Sequence, residues 1–538
     1  MAETAPGVAP RPEGGAARSS DVPLVRMALV AGGLAALGQA PFGVLPVALA
    51  GLLAGFMLWE RTAGPREAAR VGWALGAGYF GVALVWIVSP FMVDMARHGW
   101  MAPFALIGLA GGLALFWAAA FALARWLWPV LPVQRHAEDV VAVHGAEGGF
   151  HRGAGGRALV FCWALAELLR AHVLTGFPWA LVGYVWLGWG LDQAAALVGP
   201  HGLTFLTLLL AWVLRLALSG PRPVLAAGTV MLAVSAAAGL GLLRAAVGPE
   251  RENRPMVRLV QPNAEQHLKW DPAMIPVFFR RQLAFTAAPP RSAGAALPDL
   301  VVWPETAVPY PLWEGGEVAR RIAGASGGRP VATGALREAG ESLRNSLFLV
   351  SGDGRIDAVY DKHHLVPFGE YVPFGTYARR IGLGALVAQG GRFAPGPGPQ
   401  LIAVPGVGRA LPLICYEAIF PQGVNAAPER PDFLMQITND AWFGTFSGPW
   451  QHLAQARFRA IEQGLPMVRV ANTGISAMIG PRGKVLAALP LGTDGYLDAP
   501  LPAPLPATPY GHSGDLPMWL LLAAGLFRFL SGRFRKSD

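Results

Sequence analysis

The sequence predicts a chain in two parts. One is a multi-span α-helical membrane domain of about eight transmembrane helices; the other is an α/β domain outside the bilayer. Three observations predict this. Eight apolar runs crowd the first half and the extreme end of the chain. Charged residues make up only 14% of the 538, against roughly 25% in a typical soluble domain. From Pro255 the texture changes, and short β-rich runs alternate with helical stretches. This balance excludes a disordered, collagen-like or ordinary soluble protein.

The apolar runs fall at about 27–40, 43–59, 71–88, 103–123, 159–174, 203–218, 223–243 and 516–530. Most approach the ~20 residues that a spanning helix needs. The first is short, like a signal-peptide core, but Pro41 follows Ala40 and more spans come at once, so it reads as an uncleaved helix. Arg and Lys recur in alternate connections. Arg11, Arg18 and Arg26 precede the first run; Arg61, Arg66 and Arg70 follow the second; Arg125, Arg135, Arg152 and Arg157 follow the fourth. Arg215, near the end of the sixth, and Arg222, after it, mark the sixth region, and Arg533, Arg535 and Lys536 end the chain. Arg97 is an exception. The basic side is cytoplasmic, which puts the α/β segment outside the cytoplasm.

The predicted division is a disordered cytoplasmic tail at 1–21, seven membrane helices over 22–247 with a cytoplasmic loop at 129–157, and an α/β domain outside the cytoplasm at 248–498. A linker at 499–515, a last span at 516–531 and a cytoplasmic tail at 532–538 complete it. Within the membrane half, Glu167 and Arg170 lie on one helical face. They read as a structural ion pair or as a functional site, because ionisable groups in a span are costly. The Thr175-Gly176-Phe177-Pro178-Trp179 turn reads as an interfacial aromatic belt or as part of a lipid entry portal.

In the second half, strand-like runs lie at 256–260, 300–303, 330–333, 346–350, 411–414, 433–437, 467–470 and 476–479, with helices at 272–287 and 450–464. That alternation indicates a layered α/β domain. The net charge of +9 is spread over short loops, so it reads as a topology signal and not as a nucleic-acid-binding stripe. Cys162 and Cys415 sit in no Cys/His ligand pattern, so no metal and no cofactor is expected. No phosphate-binding loop occurs, which fits a space without ATP.

Three residues stand at the ends of strand-like runs. Cys415 follows Leu-Pro-Leu-Ile and precedes a helix-like start, where a helix N-terminus would lower its pKa. Lys362 follows a strand and is one of four lysines beside 39 arginines, which suggests that a compact point charge is wanted there. Glu305 ends the Val-Val-Trp-Pro-Glu run, where apolar walls suit a general base. Each has a plain alternative: a small buried hydrophobe, a solvated lysine, a cap or surface ion pair. Together they supply a nucleophile, an oxyanion stabiliser and a base, as acyl transfer requires.

Trp303-Pro304-Glu305, Asp361-Lys362-His363 and Ile414-Cys415-Tyr416-Glu417, in that order, resemble the nitrilase (carbon–nitrogen hydrolase) superfamily. Further stretches are 175–179, Pro367-Phe368-Gly369-Glu370-Tyr371-Val372-Pro373, Asn439-Asp440-Ala441-Trp442-Phe443-Gly444 and Gly448-Pro449-Trp450-Gln451-His452. With the fused spans, the whole resembles the apolipoprotein N-acyltransferase family of the bacterial inner membrane.

The resemblance implies an αββα sandwich on the periplasmic side. It implies transfer of an acyl chain from a phospholipid to the free amine of an apolipoprotein's diacylglyceryl-cysteine, through a Cys415 thioester. Glu305 would be the base, and Lys362 with the Tyr416 N–H would hold the oxyanion. Glu370 would orient Lys362, and Tyr416 and Glu417 would shape the pocket mouth. Trp270, Trp179 and Trp442, with Trp313 and Phe374, are candidates for the lipid approach. A monomer is the expected state. Two rivals are a membrane-anchored amidase acting on a small C–N substrate and a transporter or scaffold with a degenerate soluble domain. Eight spans argue against the first, and the intact Glu, Lys and Cys set against the second.

Overall fold

The computed structural model describes residues 21–129, 147–220, 222–246, 254–291, 296–340, 342–373, 380 and 393–535. The expectations for the N-terminal tail, for most of the 129–157 loop and for Phe374 lie outside them.

Each of the eight apolar runs falls mostly within a helix: Asp21–Ala36, Leu45–Glu60, Pro65–Ala83, Ala102–Leu127, Glu147–Arg170, Ala195–Ala217, Pro223–Ala246 and Leu516–Phe534. Prolines sit in the first turn of the second, third and fourth, where a missing N–H costs nothing. Small residues let the helices approach closely. A Cβ on Gly32 would lie 1.9 Å from Leu75 O, and one on Gly78 2.0 Å from Leu29 O, so the first and third helices cross backbone to backbone.

Length and hydropathy carry fewer crossings than the expected eight. Among the described residues, two helical stretches qualify, Met95–Leu127 and Leu191–Ala217, or three if a bent pair is one span. For the first three helices the reason is geometric. The first two helices have 16 residues each, about 24 Å at 1.5 Å per residue, short of a ~30 Å hydrocarbon core. The run expected at 71–88 breaks at Leu84 and bends by 63°.

Among the described residues, the second half holds twelve strands in two six-stranded sheets. They are β1 (Met256–Gln261), β2 (Leu300–Val302), β3 (Val331–Ala339), β4 (Ser342–Val350), β5 (Ile356–Asp361), β6 (Ile402–Val404), β7 (Gly408–Ile414), β8 (Phe433–Thr438), β9 (Met467–Ala471), β10 (Ser476–Ile479), β11 (Val485–Leu489) and β12 (Gly495–Pro500). One sheet has the order β12-β1-β2-β3-β4-β5, the other β11-β10-β9-β8-β7-β6. The central pairs β1–β2, β2–β3, β7–β8 and β8–β9 are parallel.

Val257, Leu259 and Leu347 from one sheet pack on Ile414, Met435 and Val468 from the other. Phe279 and Ile322, on helices Ile275–Ala287 and Glu317–Ser326, cover the first sheet's outer face. Leu453, Ala456 and Ala460, on helix Gly448–Gln463, cover the second's. The layers are therefore αββα. β12 runs past the expected start of the linker at 499, and a short helix, Pro509–Ser513, lies within that linker.

The two halves meet through buried polar contacts. Gln451 accepts from Trp179 Nε1 at 2.7 Å and donates to Ala40 O at 3.0 Å and Ala83 O at 2.9 Å.

Candidate functional site: a thiol between two carboxylates and a buried ammonium

The strand ends place the site. Glu305 follows β2, Lys362 follows β5 and Cys415 follows β7, so both sheets deliver residues to one rim. Lys362 N still donates to Asn345 O at 2.8 Å, prolonging the β4–β5 ladder by one residue. Cys415 opens a short 3₁₀ turn, Cys415–Ile419, with φ +52. A residue with a Cβ adopts that left-handed conformation only where its surroundings enforce it.

Glu305, Lys362 and Cys415 are all buried, Lys362 to 1% exposure. The solvated-lysine reading is thereby overturned. Lys362 Nζ lies 2.9 Å from Glu370 Oε1 and 3.5 Å from Glu305 Oε1. Burial works against its charge, but Glu370 and Glu305 outweigh that and raise its pKa. Asn345 Nδ2 donates to Glu305 Oε1 at 2.7 Å, and Asn439 N to Glu305 Oε2 at 2.8 Å. Glu305 is thus gripped from both sheets. Glu370 Oε2 also accepts from Val366 N at 2.7 Å, which fixes the carboxylate that faces Lys362.

The expected lowering of the Cys415 pKa does not occur. Burial pushes the thiol up, and Glu305 pushes it further, against the opposing pull of Lys362. A five-residue 3₁₀ turn supplies too little dipole to reverse burial. The thiol rests protonated, and attack on a carbonyl requires a base beside it.

Glu417 lines a cleft with His363, His364 and Phe420. Its buried carboxylate accepts from Ile414 N at 2.7 Å, His363 N at 2.8 Å and Tyr360 Oη at 3.0 Å, bracing the turns that carry Cys415 and Lys362. Tyr416 is likewise buried, packed against Phe420 and His364. Trp179 is fully buried among Trp86, Phe443 and His452, so its ring packs the junction of the two halves and does not face lipid. Trp270 and Trp442 are partly exposed, and Trp270 stands at the rim of a cavity of about 20 Å³ that Lys269, Glu305 and Asn472 also line. Trp313 is exposed as well.

Sequence reasoning passed over Lys269, Asn345 and the grip of Asn439. Lys269 Nζ donates to Thr306 Oγ1 at 2.6 Å and Glu305 O at 3.2 Å. Burial lowers its pKa to about 8, with Glu305 opposing. The scarcity of lysine that singled out Lys362 applied equally to Lys269. Among the described residues, no cluster of His, Cys, Asp or Glu is arranged to hold a metal ion.

A sandwich of this layering, with a thiol, two carboxylates and an ammonium at its strand ends, defines the carbon–nitrogen hydrolase class. Residues 261–506 match the carbon-nitrogen hydrolase family, and residues 31–213 match the apolipoprotein N-acyltransferase N-terminal domain. The chain is 38% identical to the apolipoprotein N-acyltransferase of Bradyrhizobium diazoefficiens, over 95% of each chain. It is 37% identical to that of Caulobacter vibrioides, over 93% of each. Among solved structures, a CN-hydrolase superfamily protein from Xanthomonas campestris aligns at 19% identity and a TM-score of 0.33, over 50% of this chain and 97% of that one. The chain belongs to the apolipoprotein N-acyltransferase family. It is an acyltransferase, built by fusing apolar helices to a carbon–nitrogen hydrolase domain.

Proposed function

We propose that the chain moves a fatty acyl group from a phospholipid to the α-amino group of an apolipoprotein's N-terminal diacylglyceryl-cysteine, by a ping-pong route through Cys415. The observation that carries this reading is the raised thiol pKa of Cys415 beside a carboxylate that Asn345 and Asn439 hold ready as a base.

Glu305 takes the Sγ proton, and the thiolate attacks the ester carbonyl. Lys362 and the Tyr416 N–H hold the oxyanion; a single such donor is worth about 3–4 kcal/mol. Collapse breaks the ester C–O bond. Glu305 returns the proton to the leaving lysophospholipid oxygen, which leaves a thioester. The amine then attacks that thioester, giving its proton to Glu305. The C–S bond breaks, and the proton goes back to sulfur. Glu370 keeps Lys362 charged and aimed throughout.

Both substrates are lipids, and each CH₂ withdrawn from the bilayer costs about 0.8 kcal/mol. A catalytic rim joined to apolar helices meets them where they reside. We assign the eight helices as spans of the inner membrane with residues 248–498 on the periplasmic side, following the Arg and Lys of alternate connections. The chain acts as a monomer in this reading.

The test is a half-reaction. Purified protein in detergent is given a phospholipid labelled in its acyl chain, with no acceptor present. Hydroxylamine-labile label is expected on the wild type and absent from Cys415→Ala. Absence of label on folded wild type would overturn the phospholipid donor and favour a small-molecule amidase.

A further inference from the structure

Beneath Cys415 lies a set of side chains that no step above uses. Gln436 is on β8, Asp440 just after it, His452 on helix Gly448–Gln463 and Arg469 on β9. All four are fully buried.

Their hydrogen bonds permit one consistent assignment. Asp440 is an ionised acceptor: burial opposes its charge, but Arg469 and His452 outweigh that and hold its pKa near 2. Arg469 Nη2 therefore donates to Asp440 Oδ2, and His452 Nδ1 donates to Asp440 Oδ1 at 2.8 Å. Burial keeps the His452 ring neutral, against the pull of Asp440, so its Nε2 is a bare acceptor. Gln436 Nε2 donates to it at 3.0 Å. Arg469 Nη1 donates to Gln436 Oε1, so the amide is locked at both ends in one orientation. The remaining N–H of Gln436 reaches Cys415 O at 3.3 Å. His452 Nε2, 3.2 Å from the same carbonyl, is a second acceptor for that amide and not a donor to Cys415. Thr438 Oγ1 also donates to Asp440 Oδ1 at 2.8 Å.

We infer that Gln436, locked by His452 and Arg469 on Asp440, is a positioning residue for the nucleophile. It holds the Cys415 carbonyl, and with it the left-handed turn that aims Sγ. This rests on the reading of Cys415 as the nucleophile. The device also gives Asp440 and His452, within the 439–444 and 448–452 stretches, a defined task.

The test is single-turnover acylation by the full chain in detergent, with labelled phospholipid. Gln436→Met is expected to slow thioester formation about 100-fold, the scale of a 1 Å misplacement, with the half-saturating phospholipid concentration unchanged. His452→Leu is expected to do the same, and His452→Gln, which offers a carbonyl acceptor to Gln436, to recover most of the rate. Melting curves identify the folded variants. If Gln436→Met fails to fold, the His452 pair decides alone. Wild-type acylation by a folded Gln436→Met, a change confined to half-saturation, or equal rates for the two His452 variants would each overturn the inference. Label persisting on Cys415→Ala would instead overturn the nucleophile itself.

Discussion

A membrane helix and the candidate site both bury charge, in different ways. Glu167 and Arg170 lie three residues apart on one helix, fully buried, at 2.9 Å. Trp117 Nε1 donates to Glu167, and Arg170 donates to the backbone carbonyl of Trp179. The charges balance, and the guanidinium spends its remaining reach on folding the 175–179 turn. Around Cys415, Glu305 and Glu370 face the Lys362 ammonium, Lys269 Nζ reaches the Glu305 carbonyl, and the four come from three separate stretches of chain. No local helix geometry holds them; the two sheets do. A local, balanced, saturated pair serves structure. A non-local cluster of two carboxylates and two ammoniums beside a protonated thiol suits the proposed chemistry.

The largest expected effects fall on the cluster. Glu305→Gln removes the proposed base and is expected to slow thioester formation by about 10²–10⁴-fold. Lys362→Met is expected to cost about 10²–10³-fold through the oxyanion. Lys362→Arg should not rescue it, because a guanidinium does not fit a site closed to 1% exposure. Both are read in the labelled half-reaction. Near-normal rates in either would break the contrast from the catalytic side.

Arg170→Leu probes the other side. Breaking a buried pair leaves Glu167 uncompensated, at a cost of about 3–5 kcal/mol in stability. Melting should drop sharply, while the acylation rate per folded molecule stays within about twofold, as for a substitution that leaves the reacting groups in place. A large rate loss at unchanged melting would make the pair functional and erase the distinction.

This contrast was partly legible in the sequence. The i, i+3 spacing of Glu167 and Arg170 declared their pairing. The Glu305, Lys362 and Cys415 motifs declared their residues, since each ends an apolar run. What held them was not legible. Asn345 reaches Glu305 only because β4 lies beside β3 and β5, a relation of topology. β5 was read only as an unbounded strand before Lys362, and β11 and β12 were missed because half-exposed strands alternate weakly in apolar character. The direction of the Cys415 shift also depends on enclosure, which the chain around it does not encode. The membrane helices were visible as apolar runs, but their short lengths and the break at Leu84 were not.

The halves should also differ in their response to acid. Burial lowers the pKa of His364 to about 4 and that of His452 below its ordinary value. Each contributes stability that is whole above the unfolded value of about 6.5 and is lost as pH falls through the folded value. Asp440 adds stability present above about 3.9 in the unfolded chain and lost toward about 2. Limited proteolysis between pH 7 and 4 is therefore expected to open residues 256–500 before the helical half. His364→Gln should flatten the upper part of that loss. Equal opening of both halves would remove the asymmetry.

The smallest expected effect is at Trp442, and it tests where the catalytic half touches lipid. The ring is 41% exposed on a short turn after β8, outside the hydrogen bonds that grip Glu305. A half-exposed aromatic anchors by area, worth about 1 kcal/mol here, and so by a few-fold in affinity. Trp442→Ala should raise the half-saturating phospholipid concentration about fivefold. The single-turnover rate at saturation should stay unchanged, since no reacting group moves. A loss at saturation would place Trp442 with the cluster. No change in either would leave the lipid approach to Trp270, whose cavity-rim position beside Lys269 and Glu305 predicts losses in both quantities.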